Sequence, residues 1–229
     1  MEFRRYAIFY TPPPGPFADF GAAWLGWDIG TGRAAPPRAL PALPRPLEEI
    51  TESPSRYGFH GTLKPPFRLA PGQTEAALLR SFAALCAATR AARLDGLELA
   101  RLGRFLALVP IGDSAAVAAL AARALRAFEP FRAPLNAAEL ARRRARGLSA
   151  RQEELLCDWG YPFVLDQFRF HMTLTSRLPR AEAKAVEAAL LPQLGPILPA
   201  PLCLDALTLV GERPDGRFQQ IARRALTGL

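Results

Sequence analysis

The chain contains two histidines, and both begin the same short pattern. His60 begins His-Gly-Thr-Leu and His171 begins His-Met-Thr-Leu, so a threonine follows each histidine by two positions. One such match is weak, but a matched pair that uses every histidine of the chain is a specific signal. A single histidine in a strand is more often an ordinary core or surface residue, and the pairing argues against that interpretation here.

Alternation of aromatic or apolar residues with polar residues predicts strands over 56–64 and 168–175. Side chains two positions apart lie on the same face of a strand. One polar set therefore lies on each strand: Arg56, His60, Thr62 and Lys64 on the first, and Arg169, His171, Thr173 and Thr175 on the second. We predict that His60, His171, Thr62 and Thr173 are catalytic and that Arg56, Lys64, Arg169 and Thr175 bind substrate. Arg177 follows the second strand, and the pattern leaves its direction open.

Two imidazoles beside hydroxyl and cationic groups suit displacement at phosphorus. One imidazole can take a proton from the attacking oxygen while the other protonates the leaving oxygen, since their unperturbed pKa is about 6.5. Threonine hydroxyls can donate hydrogen bonds to the non-bridging oxygens, and arginine or lysine can offset their charge. This chemistry needs neither a metal nor another cofactor, and we predict none. The sequence does not say which histidine is the acid and which is the base.

The order of the predicted elements is β-α-β-α-β-α-α-α-β-α-β-β. Strands and helices are mixed without a regular βαβ repeat, so the predicted fold class is α+β. Helices are expected over 17–27, 74–93, 113–128, 136–147, 149–159 and 180–194. The segment 29–56 is rich in proline and is predicted to be a loop. Long loops often act as lids or binding loops, and the pattern leaves open whether this one closes over a site.

The composition is that of an ordinary globular protein. The chain has 229 residues, which is enough for one large domain or two small lobes. Half of the residues are hydrophobic and 22% are charged, which excludes wholesale disorder. The net charge is +8, and of the basic residues only Lys64 and Lys184 are lysines. This charge serves either solubility or a phosphate-bearing partner, because arginine matches phosphate geometry with two parallel hydrogen bonds.

The cysteines and the apolar segments exclude several classes of protein. Cys86, Cys157 and Cys203 are far apart and form no CxxC pair, so neither a disulfide framework nor a zinc site is predicted. The apolar stretch near the N-terminus is too short for a signal peptide, and no run of about 18 apolar residues occurs. We therefore expect a cytoplasmic protein that does not bind a membrane.

The two patterns resemble the paired His-hydrophobic-Ser/Thr-hydrophobic motifs of the two-histidine (2H) phosphoesterase superfamily. Gly61 stands at a hydrophobic position of the first motif and is a mild departure. The strings YTPPPGPFADFGAAWLGWD, SRYGFHGTLKPPFRL and QEELLCDWGYPFVLDQFRFHMTLT resemble a bacterial branch of the superfamily associated with phosphonate metabolism. This resemblance covers about residues 6–220.

The resemblance implies a fold, an activity and a set of site residues. The fold would be a single bilobed domain over residues 1–229, with two pseudo-symmetric lobes, each a small antiparallel sheet with flanking helices, around a central cleft. His60 and His171 would be the acid/base pair, and Thr62 and Thr173 would hold the phosphate. The activity would be metal-independent hydrolysis of a small cyclic phosphodiester. The association with phosphonates implies a ribose cyclic phosphate as one such substrate.

Two other functions fit the same residues. The first is processing or binding of RNA ends that carry a 2′-5′ linkage or a cyclic phosphate. The net charge allows RNA as a partner, but no aromatic-rich RNA-binding motif is present. The second is a module that binds a phosphate ligand without turnover. A two-histidine metal site is poorly supported, because no third histidine and no metal-ligand spacing occur. The oligomeric state cannot be read from the sequence.

Overall fold

A computed structural model of the chain describes residues 3–36, 43–145 and 147–228. The strands in these ranges are β1 (Tyr6–Tyr10), β2 (Trp27–Asp28), β3 (Arg33–Ala34), β4 (Gly61–Phe67), β5 (Ala92–Leu94), β6 (Gly96–Leu102), β7 (Phe105–Ile111), β8 (Met172–Thr173), β9 (Leu202–Leu204), β10 (Ala206–Glu212) and β11 (Phe218–Ala225). The helices are α1 (Pro16–Leu25), α2 (Leu47–Ser55), α3 (Glu75–Ala87), α4 (Ala115–Ala127), α5 (Ala137–Arg144), α6 (Ala150–Trp159) and α7 (Arg180–Leu194). Short 3-10 helices lie at Glu129–Phe131 and Leu165–Gln167.

Seven of the strands form one antiparallel sheet in the order β11-β10-β1-β4-β8-β7-β6. Strands β2 and β3 form a separate pair, as do β5 and β9. The predicted α+β class is therefore confirmed. The two halves of the large sheet, β11-β10-β1-β4 and β8-β7-β6, join where Gly61 on β4 pairs with Met172 on β8. The description of residues 1–229 as a single bilobed domain stays a prediction.

Most of the core lies between one face of this sheet and the helices. Ile8 and Leu63 on the strands pack in the same apolar cluster as Trp24 of α1, Phe82 of α3 and Leu190 of α7. A smaller apolar cluster lies on the other side and includes Ala7, Phe9, Trp27, Ile29, Val210 and Phe218. No helix in the described parts of the chain is long and apolar enough to cross a membrane.

Two predicted helix starts have the hydrogen bonds that their sequences indicate. The Asn136 side chain accepts a hydrogen bond from the Glu139 backbone, and the Glu139 carboxylate accepts one from the Asn136 backbone. Ser149 and Gln152 make the same reciprocal pair of bonds at the start of α6. These capping boxes satisfy N–H groups that the first turn of a helix leaves unpaired.

The proline-rich segment is more regular than expected. Within 29–56, where the composition predicts a loop, the structure has strand β3 and helix α2, and residues 37–42 lie outside the described ranges. Helix α2 forms because its prolines lie at its ends, Pro46 as the N-cap and Pro54 in the last turn. The negative charges of Glu48 and Glu49 in the first turn interact favourably with the positive end of the helix dipole.

The two predicted motif strands are shorter than their alternation indicates. The alternation predicts the first motif strand over 56–64, but β4 begins at Gly61. Gly58 has a φ of 70°, which breaks the extended backbone before that point. The alternation predicts the second over 168–175, but only Met172 and Thr173 form β8. At the other end of the first strand, β4 continues through two prolines to Phe67.

A β-bulge corrects the expected position of Lys64. Phe9 on β1 pairs with Thr62, whereas Ile8 pairs with Lys64, so β4 has one extra residue, Leu63, at this point. Neighbouring residues of β1 point to opposite faces, and paired residues share a face. Thr62 and Lys64 therefore lie on opposite faces of the sheet, although their spacing predicts the same one.

The side chain of Lys64 lies on the helix-covered side, where it is buried with 1% of its surface exposed. Its Nζ donates hydrogen bonds to the Glu129 carboxylate at 3.0 Å and to the Leu125 carbonyl at 3.1 Å. Burial lowers the pKa of Lys64, and the negative charge of Glu129 acts in the opposite direction. This ammonium is therefore engaged within the core and does not face the histidines.

We expect Glu129→Ala to lower the free energy of unfolding by about 3 kcal/mol, because it leaves the buried Lys64 ammonium without its counter-ion. Lys64→Met should cost less, since methionine fills a similar volume without a charge and Glu129 keeps its ion pair with Arg132. Urea denaturation of both variants measures the difference. A smaller loss for Glu129→Ala than for Lys64→Met would contradict this account.

Candidate active site

The pairing of β4 with β8 brings the two histidine motifs together. Gly61 is the cross-strand partner of Met172. Because the strands are antiparallel, one step from this pair places His60 beside Thr173 and Thr62 beside His171. These four side chains lie on the face opposite to the helices, which we call the histidine face. The structure thus juxtaposes all four residues that the sequence predicts to be catalytic, and their roles stay predictions.

The register of the β4–β8 pair sets the distances between the side chains of His60, Thr62, His171 and Thr173, which we call the quartet. Cross-strand neighbours have Cα atoms roughly 4.5–5.5 Å apart. The two histidines are diagonal neighbours, and such pairs lie roughly 7–8 Å apart. Two imidazoles at this separation leave room for one small group between them, with a threonine hydroxyl adjacent to each ring.

Both imidazoles are oriented by the same local hydrogen bond. The Nδ1 atom of His60 lies 2.9 Å from the Gly58 carbonyl, and that of His171 lies 2.8 Å from the Arg169 carbonyl. A carbonyl can only accept, so each Nδ1 carries a proton and donates it. In a neutral ring this leaves Nε2 as an acceptor. In His60, Nε2 is 3.0 Å from Oγ1 of Thr62, whose hydroxyl is then the donor.

The two histidines differ in their surroundings. The His60 ring stacks on Phe9 with 3.8 Å between ring centroids, and the Tyr57 ring lies 6.0 Å away. Burial lowers the pKa of His60 to about 4, and repulsion by a charged His171 acts in the same direction. The hydrogen bond that orients His171 is exposed, whereas the one that orients His60 is partly buried, and the Phe105 ring lies 5.9 Å from the His171 ring. At neutral pH His60 is therefore an uncharged proton acceptor.

Gly61 has a packing role in this arrangement. A Cβ atom at this position would lie 2.4 Å from Cε2 of Phe170, a buried residue directly before His171. The aromatic ring from the second motif thus occupies the space where the first motif usually has a hydrophobic side chain. This accounts for the departure from the motif at Gly61.

The other predicted binding residues lie in different places. Thr175 is buried, and its hydroxyl accepts a hydrogen bond from the Leu106 backbone and donates one to the Ser176 carbonyl. This corrects the expectation that Thr175 faces substrate, since the strand ends at Thr173 and alternation stops there. Arg56 lies at the C-terminal end of α2 and not on a strand, and its side chain is exposed.

Arg169 is exposed and precedes β8, and its backbone carbonyl holds His171. Substrate binding by the Arg169 and Arg56 side chains stays a prediction. The aromatic neighbours Phe9, Tyr57 and Phe105 are not predicted by the sequence as part of the site. Their sequence signal is that of ordinary core residues, and only the fold places them beside the histidines. Within the described ranges no group of three or more His, Cys, Asp or Glu side chains could hold a metal ion.

Comparison with known proteins identifies several relatives. A family model described as "Protein of unknown function (DUF1045)" matches residues 62–219. The Ribose 1,5-bisphosphate phosphokinase PhnN of Janthinobacterium sp. (strain Marseille) is 41% identical over 234 residues, which cover 99% of this chain and 52% of that protein. The protein of the same name from Laribacter hongkongensis (strain HLHK9) is 41% identical over 182 residues, which cover 78% of this chain and 41% of that protein.

The chain spans about half the length of the curated relatives it matches. Among solved structures, TT0787 of Thermus thermophilus is similar over 98% of both chains, with 16% sequence identity and a TM-score of 0.47.

The His60 imidazole is expected to titrate with a midpoint near pH 4. In His171→Ala the midpoint should rise, because the repulsion between two charged rings is lost. NMR of imidazole resonances measures both values. Since the folded-state pKa lies below the unfolded value of about 6.5, this residue's contribution to stability is lost as the pH falls from about 6.5 towards 4. A midpoint near 6.5 in the folded protein would contradict the buried environment.

Gly61→Ala should lower the free energy of unfolding by about 1–3 kcal/mol, because the new methyl group forces the buried Phe170 ring to move. Gly96→Ala is the matched control, since a Cβ there meets its nearest atom at 3.5 Å, an ordinary contact. Urea denaturation compares the two variants. Equal stability of both would show that the Phe170 ring adapts without cost.

Proposed function

We propose that this chain, which belongs to the DUF1045 family, is a metal-independent phosphoesterase that hydrolyses a small cyclic phosphate. Its paired His-x-Thr motifs group it with the two-histidine phosphoesterases. The observation that carries the proposal is the quartet on the histidine face, in which two imidazoles with matched tautomers lie across one strand pair. This arrangement supplies a base and an acid on either side of one reacting phosphorus.

The different surroundings of the two rings assign their roles in this proposal. His60 is uncharged at neutral pH, so its Nε2 takes a proton from the attacking water. The water oxygen bonds to phosphorus as the bond from phosphorus to one ring oxygen breaks. His171, the more open ring, gives its proton to that leaving oxygen. The product is an acyclic phosphate monoester with a free hydroxyl group.

The threonines act on the non-bridging oxygens. In this proposal the Thr62 hydroxyl, which now donates to His60, turns to the phosphate when the attacking water occupies Nε2. Thr173 lies across the strand pair from His60 and donates to the phosphate from the other side. Donors that are fixed before the reaction stabilise the charge that develops on these oxygens.

The names of the relatives suggest the substrate class. Two relatives that are about twice as long as this chain are called ribose 1,5-bisphosphate phosphokinases. A ribose cyclic phosphate yields a ribose phosphate on hydrolysis, which is the class of compound in that name. We therefore propose a ribose cyclic phosphate as substrate, and a nucleotide or RNA end with a 2′,3′-cyclic phosphate is the alternative to test.

The wild-type protein should hydrolyse at least one cyclic phosphate in the presence of EDTA. The panel contains ribose 1,2-cyclic phosphate, its 5-phosphate, 2′,3′-cyclic nucleotides and a short RNA with a 2′,3′-cyclic end. His60→Ala and His171→Ala should each lower kcat by at least about 10²-fold, because each removes one proton-transfer group. Thr62→Ala should also lower kcat.

Thr31→Ala is the matched control for Thr62→Ala, because the Thr31 hydroxyl bonds to Asp28 in the turn between β2 and β3. The control should keep the wild-type rate. Full activity in either histidine variant would contradict the acid/base assignment. Turnover that EDTA abolishes and a divalent metal restores would contradict the metal-free mechanism.

A further inference from the structure

Helix α2 contains a proline that leaves one carbonyl of the helix without an intrahelical partner. In an α-helix each N–H donates to the carbonyl four residues earlier, so the Ile50 carbonyl would accept from residue 54. That residue is Pro54, which has no N–H to donate. Ile50 is fully buried, and a buried carbonyl needs a hydrogen-bond donor. The Ile50 carbonyl must therefore find its donor outside the helix.

This donor comes from the chain that follows the second histidine motif. The Ser176 N–H donates to the Ile50 carbonyl at 2.7 Å. The Ser176 hydroxyl accepts a second hydrogen bond, from the Ser53 N–H, at 3.0 Å. We call these two hydrogen bonds the α2–Ser176 contact. Since Ser176 lies shortly after His171 and α2 ends shortly before His60, the contact joins the segments that carry the two motifs.

The end of α2 is connected to the His60 ring by further hydrogen bonds. The Pro54 carbonyl accepts from the Tyr57 N–H at 3.0 Å. The next residue, Gly58, provides the carbonyl that orients His60. Gly58 is also closely packed, because a Cβ there would lie 2.7 Å from Ile29. A displacement of α2 would therefore move the carbonyl that holds the His60 imidazole.

The segment between His171 and Ser176 is also held closely. The Leu174 N–H donates to the Leu106 carbonyl of β7 at 2.9 Å, and the Leu174 carbonyl accepts from Nε1 of Trp24 at 2.7 Å. Ser176 adds the contact with α2 to these bonds. A change at Ser176 therefore reaches His171 through a short length of constrained backbone.

The pairing of β4 with β8 is a short connection between the two motifs. Its register rests on Gly61 and Met172, and β8 has two residues. Catalytic groups must be held to within about 0.5 Å, and a displacement of about 1 Å can lower a rate by about 100-fold. A second connection, through α2, restricts the movement that so short a strand pair allows.

We infer that Pro54 and Ser176 are positioning residues, which hold the two histidines at the separation that the proposed reaction requires. This inference rests on the proposed function and deepens it. Both residues act through backbone groups and take no part in proton transfer. Pro54 determines which carbonyl of α2 is available, and Ser176 binds that carbonyl from the second motif. A proline within the proline-rich segment thus has a specific role at the site.

The variant Pro54→Ala tests this role directly. It supplies an N–H at residue 54 that can donate to the Ile50 carbonyl within α2 and so displace the Ser176 N–H. We expect kcat to fall by about 10-fold with little change in KM, because groups that act in the transition state are displaced. Pro192→Ala is the matched control, because Pro192 also lies inside a helix, α7, at an exposed position. The control should keep the wild-type kcat.

Ser176→Ala tests the second hydrogen bond of the contact. It removes the hydroxyl that accepts from Ser53 but keeps the backbone N–H, so it should lower kcat less than Pro54→Ala does. Ser55→Ala is its matched control, because the Ser55 hydroxyl donates to the Glu52 carbonyl within α2. Because Pro54→Ala and Ser176→Ala weaken the same contact, the double variant should lose about as much activity as Pro54→Ala alone.

NMR and amide hydrogen exchange test the contact without turnover. In Pro54→Ala the Ser176 amide should exchange faster and the imidazole resonances of both histidines should shift, whereas Pro192→Ala should match the wild type. Unchanged exchange at Ser176 in Pro54→Ala would overturn the inference. Wild-type imidazole resonances in both Pro54→Ala and Ser176→Ala would also overturn it, as would equal kcat losses in each variant and its control. If the wild-type protein hydrolyses no cyclic phosphate, the proposed function fails, and the NMR comparison alone decides this inference.

Discussion

The site depends on one hydrogen-bonded strand pair, that of β4 with β8 at Gly61 and Met172. Strand β8 has two residues, so this contact is short, and it joins the two halves of the large sheet. It also fixes the register that sets each histidine beside the threonine of the other motif. A slip of one residue would turn one motif towards the helices, because side chains alternate between faces. Because Gly61 has no side chain, the Phe170 ring packs against it, and this packing stabilises the pairing of β4 with β8.

The two motifs form the same local hydrogen bond, but the surroundings of their histidines differ. Each histidine uses the carbonyl two residues before it to fix its tautomer, which is a local device that either motif can form alone. The wider surroundings differ, because Phe9 stacks on His60, whereas the small Ala107 is the β7 partner of Thr173. Desolvation therefore acts more strongly on one ring. Two groups of the same type in different surroundings can serve as base and acid in one reaction.

Irregularities in the strand pairing determine which face of the sheet each basic side chain lies on. The bulge at Leu63 sends the Lys64 ammonium into the core, where Glu129 offsets its charge. A register shift between Leu209 and Val210 occurs on β10 and β11, beyond which Arg223 faces the histidines and Arg224 does not. Bulges often re-aim side chains next to functional sites. Here they decide which side of the sheet each of these strand cations faces.

Local patterns in the sequence predicted much of the fold. The α+β class, the amphipathic helices and both capping boxes follow from interactions between residues a few positions apart. The two His-x-Thr motifs follow from the sequence in the same way, since residue type and a spacing of two are local properties. The sequence pattern does not predict helix α2, because the high proline content of the whole segment masks a run between Pro46 and Pro54 that can form a helix.

The position of each side chain relative to the other motif was decided by the tertiary structure. Alternation predicts Lys64 and Thr175 beside the threonines, but a bulge and an early strand end remove both from that face. Phe9 and Arg223 reach the histidine face through strand pairings between residues that are distant in the chain. The sequence by itself thus determined which residues could do the chemistry. The register and the bulges determined which of them meet, because these arise from hydrogen bonds between strands and not from the pattern within one strand.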